Sequence, residues 1–334
     1  MRPAFSRQSA LFGATLTAPI AALGLLLAAP ATAIGQDQYP DRLIKIIVPF
    51  PAGAGPDTFA RIIADKLQSK WSKPVVVENR PGATGNIGAE AVAKAEPDGY
   101  TLLVAPPAPF VVNPHLFDNL RFDPAALVPI TVIATAPNVL VARPSLGVGS
   151  LQELVALAKS QPGKLAYAST GKGSTMHLAA EMLKSLAGID VVHVPYKSPP
   201  QYLHDMLGGS IDLAFVNLIF ALPLVESGQL KALAVGSAQR SPHLSNVPAL
   251  AESLPGFLST SWFAVAAPPN TPPQIAEKLS TAIAAALREP DAMAKLQNLK
   301  ATPVLNSPSE AAAFFREESE RWRKVIVAAG IKSE

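Results

Sequence analysis

Two short stretches of the chain combine backbone freedom with polar donors where a strand-like pattern meets a helix-like one. Residues 50–57 read Phe50-Pro51-Ala52-Gly53-Ala54-Gly55-Pro56-Asp57, after a β-branched run over 43–48 and before an amphipathic pattern over 58–71. Residues 169–175 read Ser169-Thr170-Gly171-Lys172-Gly173-Ser174-Thr175, between a strand pattern over 165–168 and a helical face of Leu178, Met182, Leu183 and Leu186. Small residues let a ligand approach the main chain. The first amides of the helix that follows have no intrahelical partner, so each loop can seat an anion. Each also has a plain alternative. The first is an ordinary strand-to-helix turn, matching neither the phosphate-loop nor the dinucleotide spacing. In the second, Ser174 is an N-cap candidate. A cap accounts for one hydroxyl, not for four hydroxyls with two glycines and Lys172. On opposite domains, the two loops would present amides and hydroxyls to a carboxylate from two sides. Charge-assisted bonds of this kind contribute roughly 1.5–3 kcal/mol each.

Other chemistry fits the residues less well. Ser174 and His177 are three apart, so both can lie on one helix face, and Asp190, Asp205 or Asp212 could complete a triad. No Gly-x-Ser-x-Gly elbow accompanies them, which argues against a nucleophilic hydrolase and for His177 as a packing residue behind the loop. His115, His177, His193, His204 and His243 lack metal-ligand spacing, and there are no cysteines, so neither a metal site nor a cofactor is expected. Residues 105–113 hold three prolines and no charge; they could rim a cleft or form a rigid crossover.

The elements that must position these loops alternate between strand and helix. Strand patterns fall at 43–48, 75–77, 100–105, 139–142, 165–168, 191–194, 211–216, 231–235 and 262–266. Helical patterns lie between them. Ser150 with Glu153 and Ser307 with Glu310 have the capping-box spacing, and Pro272-Pro273 opens a helix carrying Ile275, Leu279, Ile283 and Leu287. This alternation predicts an α/β fold with mainly parallel sheets covered on both faces. The apolar pattern breaks at the Pro-rich region 122–129 and again over 241–255. The expectation is two domains joined by more than one crossing, the middle of the chain forming one and its two ends the other.

The 334 residues are 49% hydrophobic and 16% charged, with a net charge of +3, so a packed core is feasible and disorder is not expected. Basic residues are scattered among acidic ones, which does not suggest a nucleic-acid surface. At the N-terminus, Arg2 and Arg7 precede an uncharged run over 11–29 and the small-x-small sequence Ala31-Thr32-Ala33. A membrane anchor is the alternative, but Pro30 and the polar Gln36-Asp37-Gln38 favour a signal peptide over 1–33, cleaved near Ala33. The mature protein would then be exported, to the periplasm in a Gram-negative cell.

Several stretches together resemble one family. They are residues 49–53 with Asp57, Ala60 and Arg61; Val77-Glu78-Asn79-Arg80-Pro81-Gly82-Ala83 through Gly88-Ala89-Glu90; Pro97-Asp98-Gly99-Tyr100-Thr101-Leu102; Asn113-Pro114; Gly171-Lys172-Gly173-Ser174 through His177-Leu178; Val194-Pro195-Tyr196-Lys197; and Gly208-Gly209 before Ile211-Asp212. The chain resembles the substrate-binding receptors of tripartite tricarboxylate transporters, also called the Bordetella uptake gene family. The resemblance implies a type II periplasmic-binding-protein fold, two α/β lobes with a ligand cleft between them that closes on ligand. Residues 39–137 plus 260–334 would form one lobe and 138–259 the other. It also implies a grip on a carboxylate by both loops, partly through ordered water. The expected ligand-binding set is Phe50, Ala52, Gly53, Ala54, Asp57, Pro107, Ser169, Gly171, Gly173, Ser174, Thr175 and Asn217, with Asp57 chiefly fixing its own loop and no catalytic residue.

Three positions depart from the family pattern: Ala54 for a second glycine, Ser198 for a glycine, and Val216 for a frequent acidic residue before Asn217. With Phe110 and Phe215, Val216 suggests a less polar distal pocket, suited to an apolar or aromatic acid. The functional expectation is a monomeric periplasmic receptor that delivers a small organic carboxylate to a membrane permease and is not an enzyme. The alternative is a carboxylate sensor presenting its closed form to a sensor kinase.

Overall fold

A computed structural model describes residues 39–331. The expected signal peptide therefore lies outside the described residues. In chain order the strands are β1 Ile44–Val48, β2 Val75–Asn79, β3 Thr101–Ala105, β4 Val128–Ala142, β5 Ala166–Ser169, β6 Val192–Pro195, β7 Leu213–Asn217, β8 Lys231–Val235, β9 Thr260–Ala267 and β10 Thr302–Pro303. The α-helices are α1 Gly55–Trp71, α2 Asn86–Ala93, α3 Leu151–Ser160, α4 Thr175–Ala187, α5 Pro199–Leu207, α6 Leu218–Glu226, α7 Pro273–Leu287, α8 Pro290–Asn298 and α9 Pro308–Ala328.

Local sequence accounts for most of these elements. β1 is a β-branched run buried almost throughout. α1 places Phe59, Ile62, Ile63 and Leu67 on its buried face, has Pro56 in its first turn, and stops where Ser72 turns left-handed. α9 begins with the full capping box of Ser307 and Glu310. At α3 only half the box forms: Ser150 accepts the Glu153 amide, while Glu153 Oε2 accepts the amide of Gly149 instead. Residues 105–113 are not a plain loop, because Ala108–Val112 is a π-helical turn running into a 3₁₀ turn, Asn113–His115.

The strands form one hydrogen-bonded path in the order β2-β1-β3-β9-β4-β7-β5-β6, with β10 and β8 also paired to β4. The pairs β1/β2, β1/β3, β5/β6 and β5/β7 are parallel, as strand–helix alternation requires. β9 pairs antiparallel to both β3 and β4.

β4 corrects the expected boundaries. The strand expected at 139–142 is the end of a fifteen-residue strand that begins inside the Pro-rich region. Proline cannot donate to a ladder. Here the register slips beside Pro129, and β4 exchanges partners at Pro137: pairing with β9 ends at Pro137–Thr260, and pairing with β7 begins at Asn138–Asn217. The prolines therefore sit where ladder bonds are dispensable.

The core lies on both faces of the sheet. A large cluster runs from Ile47 through Tyr167 and Leu178 to Trp262 and Trp322. A second one packs Tyr202, Met206, Leu218 and Leu222 against Val139, Val141 and Val216. Trp262 is a core residue, stacked near Phe110 and Phe315, and its indole N–H donates to Glu318 at 2.7 Å. No helix among the described residues is long and apolar enough to cross a membrane.

Candidate functional site

Strand ends and helix starts converge on a cavity that opens to solvent. Four α-helices bring their N-terminal ends to its wall: α1 through Ala54, Gly55 and Pro56, α4 through Ser174, Thr175 and Met176, α5 through Pro199, and α6 through Asn217. Helix N-termini carry partial positive charge and unpaired amides. Thr84, Thr170 and Ser261 add hydroxyls, and Lys197 is the one charged side chain on the wall among the described residues. The rest of the wall is apolar, led by Phe50, Phe220, Phe263 and Met176. A wall with helix N-termini, hydroxyls, one cation and no carboxylate suits an anion with an apolar body.

The hydrogen bonds of residues 169–175 show which amides remain for a ligand. The Gly171 amide donates to Ser169 Oγ, the Gly173 amide to His177 Nδ1 and the Ser174 amide to the Gly171 carbonyl. Ser174 Oγ accepts the His177 amide, which caps α4 and leaves its own hydroxyl hydrogen to donate elsewhere. The amides of Thr175 and Met176, at the first two positions of α4, have no acceptor within the helix, and both residues lie on the cavity wall. The loop thus uses its own donors to hold its shape and offers those of the helix it opens. Gly173 has φ +82°, and a Cβ there would lie 2.8 Å from Leu116 Cδ1.

Behind the loop, the rings of Tyr167 and His193 stack with centroids 4.9 Å apart, and His177 packs tilted against His193 at 4.5 Å. His193 Nε2 lies 2.7 Å from Ser169 Oγ, and Tyr167 donates to Glu181. Burial, with His193 and two lysines nearby, pushes His177 down to about 3. Burial likewise lowers His193 to about 4. A neutral His177 is what accepting an amide through Nδ1 requires. Its side chain is turned to Gly173 and makes no bond to Ser174 Oγ. Asp212 pairs with Arg143, and Asp205 accepts from Tyr196. The arrangement is that of a supported loop, without the nucleophile–base bond of a triad.

Six of the twelve expected ligand residues line the cavity: Phe50, Ala54, Pro107, Ser174, Thr175 and Asn217. The other six lie off the wall. Asp57 is buried and accepts from the Gly53 amide, Arg61 Nε and Asn79 Nδ2 at 2.9 Å each, so it pins its loop from behind. These bonds outweigh burial and hold its carboxyl below the usual range. Ser169 is fully buried within its loop, and Ala52, Gly53, Gly171 and Gly173 support the turns. The distal-pocket expectation requires correction. Val216 and Phe215 are buried in the sheet and Phe110 packs on Trp262, so none reaches the cavity. Ser198 is also absent from the wall, between Lys197 and Pro199, which are present.

Sequence reading missed Thr84, Ser261, Phe263, Phe220 and Lys197. Thr84, like Lys197, stood inside a quoted motif without a role, while the two β9 residues carry no local motif and arrive through sheet topology. A buried polar chain also runs behind the cavity: Asn217 Nδ2 donates to Asn138 Oδ1 at 2.6 Å and Asn138 Nδ2 to Ser259 Oγ at 2.8 Å. It ties the wall to the place where β4 changes partners.

Comparison with known proteins shows the family and the fold. Residues 59–331 match the family model described as tripartite tricarboxylate transporter family receptor. Protein BugT of Bordetella pertussis is 37% identical over 322 residues, covering 95% of this chain and 99% of that protein. The solved structure of R. palustris Rpa4515 with adipate is 37% identical, with a TM-score of 0.84 over 89% of this chain and 100% of that one. The periplasmic binding protein BugD is 31% identical, with a TM-score of 0.81 over 89% of this chain and 100% of that one. The fold is therefore the α/β periplasmic-binding-protein fold. The chain belongs to the tripartite tricarboxylate transporter receptor family.

Proposed function

We propose that this protein is a periplasmic solute-binding receptor that captures a small organic carboxylate in the cavity and delivers it to a membrane permease. The observation that carries the reading is the cavity wall itself: four helix N-termini, with amides offered at the starts of α1 and α4, hydroxyls from both sectors of the sheet, and no acidic side chain among the described residues. The carboxylate sits between the start of α1 and the start of α4. Gly55 offers its amide from one side; Thr175, Met176 and the Ser174 hydroxyl offer donors from the other. Phe50, Phe220, Phe263 and Met176 take an apolar ligand body. The adipate held by Rpa4515, a carboxylate with an aliphatic middle, supports that class.

The lobes are residues 39–137 plus the described part of 260–334, and residues 138–259. Support comes from the partner exchange of β4 at Pro137 and from the start of β9 at Thr260. Ligand bridging both would shift the population toward a closed arrangement. Export follows from the N-terminal signal, with cleavage near Ala33.

A thermal-shift screen of small carboxylic acids tests the reading. A binding acid raises the melting temperature by mass action. The double variant Ser174→Ala, Thr175→Ala, still folded, is expected to bind that acid at least about tenfold more weakly. Undiminished affinity in the double variant would remove the clamp from the account.

A further inference from the structure

The turn Gly82-Ala83-Thr84-Gly85, just before α2, has a backbone that its residue types do not favour. Ala83 has φ +46° and Thr84 φ +50°, both in the left-handed region that residues with side chains rarely adopt. For a β-branched residue such as Thr84 this is an outlier, and such outliers persist only where the surroundings hold them, often at clamps and switches. Here the hold comes from the same lobe. Asn113 Nδ2 donates to the Thr84 carbonyl at 3.2 Å and to Asn86 Oδ1 at 2.6 Å. Both bonds are made within one lobe, so the turn keeps its shape whether or not the other lobe is near. The Thr84 side chain is thereby aimed at the opposite loop, where its hydroxyl donates to the Lys172 carbonyl at 3.2 Å. That loop also rests on the residues that hold the turn. A Cβ at Gly173 would lie 3.4 Å from Asn113 Oδ1 and 3.7 Å from Val112 Cγ1. Thr84 and its anchor thus meet residues 172 and 173 where the two lobes touch, beside the donors at the start of α4.

We propose that Thr84 is a closure latch: its bond to Lys172 favours the closed arrangement of the lobes and sets how tightly ligands are held without choosing among them. This rests on the two-lobed receptor proposed above. The held turn preorganises the hydroxyl, so forming the bond costs little ordering. A ligand that binds the closed arrangement is held in proportion to the population of that arrangement. Where closure is the minor state of the free protein, losing the latch weakens every ligand by one common factor. A hydrogen bond of ordinary net strength makes that factor about three- to tenfold. Direct contact between Thr84 and the ligand would instead weaken each ligand by its own factor.

The test compares the wild type with Thr84→Val and Thr84→Gly, which lack the hydroxyl, and Thr84→Ser, which keeps it. Glycine suits the positive φ, so Thr84→Gly serves if valine disturbs the turn. The native chain has no cysteine. Dyes on Lys70→Cys and Gln161→Cys, both exposed and one on each lobe, therefore report lobe separation by single-molecule energy transfer. Without ligand, the closed-to-open ratio should fall about three- to tenfold in Thr84→Val and Thr84→Gly and recover in Thr84→Ser. By titration calorimetry, the affinities for adipate and for the shorter succinate should both fall by that same factor. An unchanged closed-to-open ratio, or no recovery in Thr84→Ser, overturns the latch. So does a loss of affinity that differs between the two acids. The first arm needs no ligand: a wild type that binds neither acid counts against the carboxylate reading, and lobe separation alone then decides the latch.

Discussion

Ser174 and His177 are three residues apart and serve each other through the backbone. Ser174 Oγ accepts the His177 amide, and His177 Nδ1 accepts the amide of Gly173. Replacing Ser174 by alanine removes an N-cap, which costs about 0.5–2 kcal/mol of stability by chemical denaturation, in addition to any loss of ligand affinity. His177 makes a separate prediction about pH. Its value in the fold is about 3, below the ordinary 6.5. The unfolded chain therefore binds the proton more readily, so stability is complete above about pH 6.5 and falls as pH drops toward 3. His193, lowered to about 4, acts in the same direction. Each histidine can contribute at most about 1.4 kcal/mol per pH unit across its window. Melts at pH 7, 5.5 and 4 should show this decline, and His177→Gln should flatten it; a parallel decline in the variant would mean other groups are responsible.

At the scale of elements, the turns on either side of the cavity were legible because their chemistry is local. Glycine, proline and hydroxyl residues between a strand pattern and a helix pattern mark both residues 50–57 and residues 169–175. Ser307 with Glu310 marked the start of α9 in the same way. Two features were not legible. β4 runs through prolines that normally break strands, and only the sheet shows that Pro129 lies at a register slip and Pro137 at the exchange of partners. Ser261 and Phe263 reach the cavity because β9 lies between β3 and β4, far away in sequence from either loop. Their own residues carry no sign of it. The crossing yields a prediction. Gly236 donates to the Asn138 carbonyl at 2.7 Å and accepts the Ser259 amide at 2.7 Å. A Cβ there would lie 2.5 Å from the Ser259 carbonyl and 3.1 Å from that of Asn138. Main-chain atoms on both sides cannot swing away, so Gly236→Ala should destabilise the fold by about 1–3 kcal/mol, read as a lower denaturation midpoint. A variant as stable as the wild type would show that the crossing has slack.

At the scale of the molecule, residues 40–331 place a donor-rich cavity beside the strands that pass between two sectors of one sheet. The Thr84 hydroxyl donates to the Lys172 carbonyl at 3.2 Å, joining the start of α2 to the loop before α4. Pairing across β4 and the chain Asn217–Asn138–Ser259 link the cavity wall to the crossing. A ligand held from both sides would draw these parts together, so saturating ligand should reduce the radius of gyration in solution scattering and, at about 100 times its dissociation constant, add about 2.7 kcal/mol of stability. A bound protein with an unchanged radius would argue against closure. The most direct test of carboxylate capture is a calorimetric titration of the protein with a panel of organic acids and the uncharged amide of each. The carboxylate should bind, its amide should bind at least about tenfold more weakly, and Ser174→Ala with Thr175→Ala should remove most of the difference. An amide that binds as well as its acid, or an acid that binds equally well after both substitutions, would contradict carboxylate capture.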